Sequence, residues 1–218
     1  MTWRSLWYDF FHVAGMTGFT LGFSLRLEGT RYVPKTGPVL VIANHQSFVD
    51  PWIVGLAVKR HLTYLARKTL FRNPRFAAVI RSLNAVSIDQ EGVGKEGIKT
   101  VIDQLQQGRA VLVFPEGSRT PDGQMHPLRP GIHLLIKRTR ALVVPVGIAG
   151  AYHAWPIWRR YPIPAPLFLP PRPGTIAVAI GPPLDSQKLA AMERDECGTE
   201  LFAAIHKMHI RAEQLRRQ

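Results

Sequence analysis

Val39-Leu40-Val41-Ile42-Ala43-Asn44-His45-Gln46-Ser47-Phe48-Val49-Asp50-Pro51 runs through five apolar residues without a break and then turns polar at once. Such a run suits a strand covered on both faces, because a half-solvated strand would alternate. Ala110-Val111-Leu112-Val113-Phe114 and Ala141-Leu142-Val143-Val144-Pro145-Val146 repeat the pattern. The stretches between them, Pro51 to Val58, Lys95 to Gln107 and Gly131 to Arg138, read as helices, and Thr175 to Ile180 reads as a last strand. This alternation predicts an α/β fold with a mainly parallel central sheet flanked by helices. In such sheets ligands gather at the carboxyl ends of strands.

The whole chain has 218 residues, enough for one domain with an appendage and too few for two large domains. Hydrophobic residues make up 46%, which excludes intrinsic disorder. A single cysteine, Cys197, excludes a disulfide framework and a multi-cysteine zinc site, and suits packing within a helix. The formal charge of +13 calls for an anionic partner: nucleic acid, an acidic membrane, a phosphorylated substrate or an acidic carrier.

Residues 1–30 form the appendage, and 31–218 the main domain. Trp3, Trp7, Tyr8, Phe10, Phe11, Phe19 and Phe23 crowd the first segment, and Phe10 to Leu25 is 16 residues without a formal charge. That is short of the ~20 that span a bilayer, and Gly15, Gly18 and Gly22 argue against one straight helix. An apolar helical segment or hairpin lying in a membrane interface is predicted; the alternative is a hairpin packed on the domain's own core. The stretch 155–174 is an extended proline-rich loop that could face a membrane. Helices return over 186–217, with Asp185 as N-cap and Leu201, Ile205, Met208, Ala212 and Leu215 as a core stripe.

Two strand ends carry chemistry. Beyond the first strand, His45 and Asp50 lie five apart, a spacing at which a carboxylate can orient a histidine acting as general base. Asp50-Pro51 also reads as an N-cap followed by proline at the first helical position, and both readings can hold together. Beyond the second strand, Pro115-Glu116-Gly117-Ser118-Arg119 sets a guanidinium beside a glycine turn, which suits a phosphate; the plain alternative is a surface turn. Ser47 has no G-x-S-x-G elbow around it and reads as a turn residue.

Taken together the segments resemble the glycerophospholipid acyltransferase family, the 1-acyl-sn-glycerol-3-phosphate (lysophosphatidic acid) acyltransferases among them. Asn44-His45 through Asp50 matches the family's first block, Phe114 to Arg119 its Phe-Pro-Glu-Gly-Thr/Ser-Arg block, Val144-Pro145-Val146 its late block, and Ala66-Arg67-Lys68-Thr69-Leu70 its Ala-Lys-x-x-Leu segment. The resemblance implies His45 and Asp50 as catalytic residues, and Arg119, Glu116, Gly117 and Arg67 as the acceptor-phosphate site. Asn44, Ser118 and Pro145 would be supporting residues. It implies transfer of a fatty acyl group from acyl-coenzyme A or acyl carrier protein to a lysophospholipid hydroxyl, at the cytoplasmic face of an anionic membrane, with no cofactor and no metal. Backbone N–H groups around Glu116-Gly117, or another loop amide, would hold the oxyanion. One block departs: Asn84 stands where the family has Gly and Gln90 where it has Arg, which opens the acceptor to other lysolipids such as a lyso-ornithine-type lipid.

Other readings are weaker. Gly92, Gly94 and Gly97 spell G-x-G-x-x-G, but the strand-like run before them, Ala85 to Ile88, is short and carries Ser87. His206 and His209 lack a carboxylate set and read as helix-surface residues. Arg211, Arg216 and Arg217 suggest nucleic acid, yet the basic residues are scattered and do not interleave with aromatics, so none is expected.

Overall fold

The computed structural model describes residues 3–88 and 95–218. Val39–Ala43 is a strand buried at every position, as its apolar run predicts, and its register explains why. It is β2, the central strand, paired in parallel with β5 (Ala110–Val113) on one side and β6 (Leu142–Ala149) on the other. The other strands are β1 (Arg26–Glu28), β3 (Leu62–Arg67), β4 (Ala85–Ile88) and β7 (Ala177–Ile180). Among the described residues the sheet has seven strands in the order β1-β7-β6-β2-β5-β3-β4, and only the β6–β7 pair is antiparallel.

The pleat sends alternate residues of each strand to opposite layers. Val39, Val41 and Ala43 face α1 (Trp3–Phe23), α2 (Asp50–Ala57) and the short α6 (Ala151–Ala154). Leu40 and Ile42 face α4 (Lys95–Gln106), α5 (Gly131–Thr139), α7 (Ser186–Ala191) and α8 (Arg194–Leu215). Each fully buried aliphatic side chain contributes about 2 kcal/mol, so a strand buried on both faces has no polar position to offer. The remaining helix, α3 (Pro74–Ser82), covers the β4 edge.

Residues 3–23 form one helix, not a hairpin. Packing overrides the glycines, each of which costs about 1 kcal/mol in a helix interior. Tyr8, Gly15 and Phe19 make the buried stripe, and a methyl group on Gly15 would lie 2.7 Å from the Trp52 indole nitrogen, so that glycine sets how closely α1 lies on α2. Trp7, Phe10, Val13 and Leu21 face outward. Among the described residues no helix is long and apolar enough to cross a membrane.

The C-terminal half follows its sequence signals. No helix or strand is formed between Trp155 and Gly174. Asp185 caps α7 by accepting the N–H groups of Gln187 and Lys188. Leu201, Ile205 and Ala212 are buried on α8, and Cys197 packs among them. Glycine decides one contact: a methyl group at Gly147 of β6 would meet the backbone of Met208 and His209, so α8 lies directly on the strand there. His209 is therefore only partly exposed; its Nδ1 donates to the Ile148 carbonyl at 2.8 Å, and burial lowers its pKa.

Candidate active site

β2, β5 and β3 are sheet neighbours, and all three motif segments leave their carboxyl ends. The first residue past β2, Asn44, is buried and continues the ladder with its side chain: Nδ2 donates to the Ile148 carbonyl at 2.9 Å, and Oδ1 accepts the Ile148 N–H at 2.7 Å. The next residue is therefore held where the backbone leaves the sheet. His45 has both backbone groups fixed by the segment after β5, its N–H by Glu116 Oε1 at 2.8 Å and its carbonyl by the Thr120 N–H at 2.8 Å. Its ring stacks on Phe114 with centroids 3.9 Å apart.

His45 Nδ1 lies 2.8 Å from Asp50 Oδ2. A carboxylate only accepts, so Nδ1 carries the proton and Nε2 is the basic nitrogen, in a ring that lines a cleft. Asp50 is fully buried, and the same oxygen also accepts the N–H groups of Gln46 and Ser47. It is not the N-cap of α2: Val49 holds that position, and the Asp50 carboxylate turns back to the loop. Pro51 does stand in the first turn, as its fixed φ favours. Ser47 is buried, with Oγ donating to the Trp155 carbonyl at 2.6 Å.

Glu116 is placed differently from the expectation of a phosphate ligand. It is buried, and its two oxygens accept the N–H groups of His45 and His126, each at 2.8 Å, so it braces two loops instead of facing the cleft. Burial raises its carboxyl to about 7, against the two N–H bonds, which lower it. Gly117 makes the turn with φ 82°, and its N–H is taken by the Phe114 carbonyl, so that amide is not aimed at an oxyanion. Pro145 also lies outside the cleft, buried in the middle of β6 opposite Ile42, its ring toward Gly181.

Arg119, Arg67, Gly117 and Ser118 line the same cleft as His45. The Arg119 guanidinium lies 3.5 Å from the Phe48 ring centroid, and its Nη1 is buried with no hydrogen-bond partner among the described residues. Burial lowers the Arg119 pKa, and Arg67 at the end of β3 adds to this, placing two cations near each other at the mouth. The cleft encloses about 530 Å³ in all, and behind the two cations it continues between α1, α3 and the β3–β4 edge, walled by Leu65, Phe76, Val79, Ile80, Leu83 and Ile88 among others. A polar mouth on an apolar chamber suits a ligand with a charged head and a hydrocarbon tail.

Sequence reading missed α3 and the cavity it walls. The signal was there: Asn73 accepts the N–H groups of Arg75 and Phe76 as N-cap, Pro74 follows it, and Phe76, Val79, Ile80 and Leu83 recur at helical spacing. Of the departing residues, Gln90 lies outside the described residues, as do Gly92 and Gly94. Asn84 is described. It closes α3 in the left-handed region with φ 64°, a position where Gly is the usual residue and Asn the next most tolerated. The exchange of Gly for Asn is thus answered by the backbone.

The family described as Acyltransferase matches residues 24–149, which takes in every one of these cleft residues from Asn44 to Arg119. The 1-acyl-sn-glycerol-3-phosphate acyltransferase of Bacillus subtilis is 26% identical over 188 residues, covering 84% of this chain and 87% of its own length. A Pseudomonas aeruginosa protein of the same name is 28% identical over 179 residues, 79% of this chain and 63% of that one. In fold, the crystal structure of the 1-acyl-sn-glycerophosphate (LPA) acyltransferase PlsC from Thermotoga maritima matches with a TM-score of 0.77 at 24% identity, covering 99% of this chain and 82% of that chain.

Proposed function

This chain belongs to the acyltransferase family, and from that premise we propose that it moves a fatty acyl group from a thioester to the free hydroxyl of lysophosphatidic acid or a related glycerol phosphate, a step of phospholipid synthesis. The observation that carries the reading is the convergence on one cleft of the His45–Asp50 pair, the Arg119 and Arg67 guanidinium groups, and an apolar chamber. The relatives' names supply the substrate class. Two guanidinium groups at the mouth favour a phosphate over a lyso-ornithine-type head group.

The chemistry follows from the tautomer. His45 Nε2 takes the proton of the acceptor hydroxyl, and the oxygen attacks the thioester carbonyl carbon. The tetrahedral adduct collapses with cleavage of the C–S bond, and the proton on Nε2 passes to the leaving thiolate, so an ester and a free thiol result. Asp50 holds the ring and stabilises the transient imidazolium; no enzyme-bound acyl group is needed. Arg119 and Arg67 hold the acceptor phosphate, which converts a two-substrate encounter into an attack within one complex. The donor is acyl-coenzyme A or acyl carrier protein, and the lipid acceptor is taken from an anionic membrane at its cytoplasmic face. The test is thiol release by purified protein from both thioesters, offered lysophosphatidic acid, glycerol 3-phosphate and a lyso-ornithine lipid in turn. Turnover that requires a phosphate acceptor and disappears in His45→Ala supports the reading; a variant as active as the wild type overturns it.

A further inference from the structure

We propose that the proline-rich loop 155–174 is a docking surface for an anionic phospholipid bilayer, held rigidly beside the outward face of α1. This loop lies outside the residues matched by the acyltransferase family.

The loop presents large apolar side chains to solvent. Phe168 is 81% exposed, Tyr161 67% and Trp158 65%, more than any other large hydrophobic residue described. Ile157, Ile163, Leu167 and Leu169 add partly exposed aliphatic surface. Loop tips in water are ordinarily polar, so a cluster of this kind marks a surface that meets something apolar.

The cluster is also cationic. Arg159 lies 5.2 Å from the Trp158 ring centroid and Arg160 5.3 Å from that of Tyr161, so each exposed ring carries a guanidinium beside it. From Gly123 to Leu184 the sequence contains no Asp or Glu, and within that span it carries Arg159, Arg160 and Arg172. Amphipathic rings with adjacent arginines are suited to the headgroup layer of an anionic bilayer, where the rings reach the acyl boundary and the cations stay at the phosphates.

The frame behind these side chains is stiff. The prolines fix φ along the loop, and the chain is strapped to the end of α1 by backbone bonds, Ala165 N–H to the Gly22 carbonyl at 2.9 Å and Leu167 N–H to the Leu21 carbonyl at 3.1 Å. Ser24 Oγ donates to the Ala165 carbonyl at 2.8 Å. Two of the last-turn carbonyls of α1, which have no partner within the helix, are thus satisfied by the loop. Leu21, itself 45% exposed, continues the surface onto α1. At its root the loop meets the cleft: the Trp155 carbonyl accepts the Ser47 hydroxyl, and the Trp155 ring stands 6.2 Å from that of Phe48. A bilayer seated on the loop therefore lies beside the cleft mouth.

The test is sedimentation of the full chain with vesicles of phosphatidylcholine, alone or mixed with phosphatidylglycerol. Trp158→Ser with Phe168→Ser should lower partition into both kinds of vesicle about tenfold. Arg159→Gln with Arg160→Gln should lower partition about tenfold into the anionic vesicles alone, and make what remains less sensitive to salt. Thiol release from a short-chain, water-soluble thioester with glycerol 3-phosphate should stay within about twofold of wild type in both double variants, which reports an intact fold. Wild-type partition in both variants overturns the proposal, as does a wild type that never sediments with vesicles. Loss of self-association in the variants with unchanged vesicle binding would assign the surface to a second copy of the chain and equally overturn it. A wild type that releases no thiol yet shows the stated vesicle losses would sink the acyl-transfer reading while supporting this one.

Discussion

Glu116 Oε1 accepts the backbone N–H of His45 at 2.8 Å, so the carboxyl that the motif contributes holds the loop that carries His45 from behind. The His126 N–H takes the other oxygen, at 2.8 Å. Its burial has a price in pH dependence. The folded value is about 7 against 4.5 for the free side chain. Stability contributed by this raised value is fully present below about 4.5, where both states are protonated. It is lost as pH rises through 7, because the unfolded chain gives up the proton first. The difference is on the order of 3 kcal/mol. Urea unfolding from pH 4.5 to 8 should show this decline in the wild type and a flatter profile in Glu116→Gln. Parallel profiles in the two proteins would mean that Glu116 is not the titrating group. The glutamine amide must point its NH₂ at one of the two N–H donors, so the variant should also lose about 1–3 kcal/mol at pH 5.

Asp50→Asn tests the orientation of His45. An asparagine side chain at this place can present its NH₂ to the ring, and Nδ1 then becomes the acceptor and Nε2 the protonated nitrogen. Turnover should fall about a thousandfold, with acceptor KM nearly unchanged and folding retained. The Gln46 and Ser47 N–H groups point at the same oxygen that faces Nδ1, so an asparagine that keeps its oxygen toward them still accepts from Nδ1 and loses only the negative charge that stabilises the imidazolium, a smaller loss. A kcat within tenfold of wild type would assign Asp50 to loop structure alone.

The legibility of this chain follows burial. β2, β5 and β6 could be read directly because every position is apolar and both faces are covered, the exposed Leu142 at the start of β6 apart. β3 escaped notice: Leu62 and Thr63 are buried, but the rest of the strand is partly or fully exposed, and its neighbour β4 is the sheet's edge. β1 has only three residues, none of them buried, and no local signal marks it. The His45–Asp50 pair was legible because five residues of loop and helix start can bring the groups together without knowledge of the fold. The role of Glu116 was not, since its partner His126 is ten residues away and no pattern announces a backbone N–H. Glycine content misled on α1, where the contact of Gly15 with Trp52, set by tertiary packing, outweighs propensity.

Arg119→Ala should raise KM for a phosphate-bearing acceptor about 10–100-fold and leave that for the thioester near its wild-type value. Arg119→Lys restores charge without the planar face that lies 3.5 Å from the Phe48 ring, so recovery should be partial. Steady-state kinetics with each substrate varied in turn separates the two constants. An equal rise in both would place Arg119 in the general architecture of the cleft.

Asn84 separates two explanations of a departure from the family pattern. Its N–H donates to the Arg81 carbonyl, its own carbonyl accepts the Tyr64 N–H, and its φ of 64° turns α3 into β4. These are backbone roles, which glycine fills as well as asparagine and alanine fills poorly. Asn84→Gly should therefore change stability by no more than about 0.5 kcal/mol, and Asn84→Ala should cost about 1 kcal/mol, in urea unfolding. Acceptor preference should be the same in all three proteins, because the side chain is not among those lining the cleft. A tenfold shift in the ratio of turnover between phosphate and non-phosphate acceptors in Asn84→Gly, with stability unchanged, would return Asn84 to the acceptor site. Identical ratios confine Asn84 to the turn between α3 and β4.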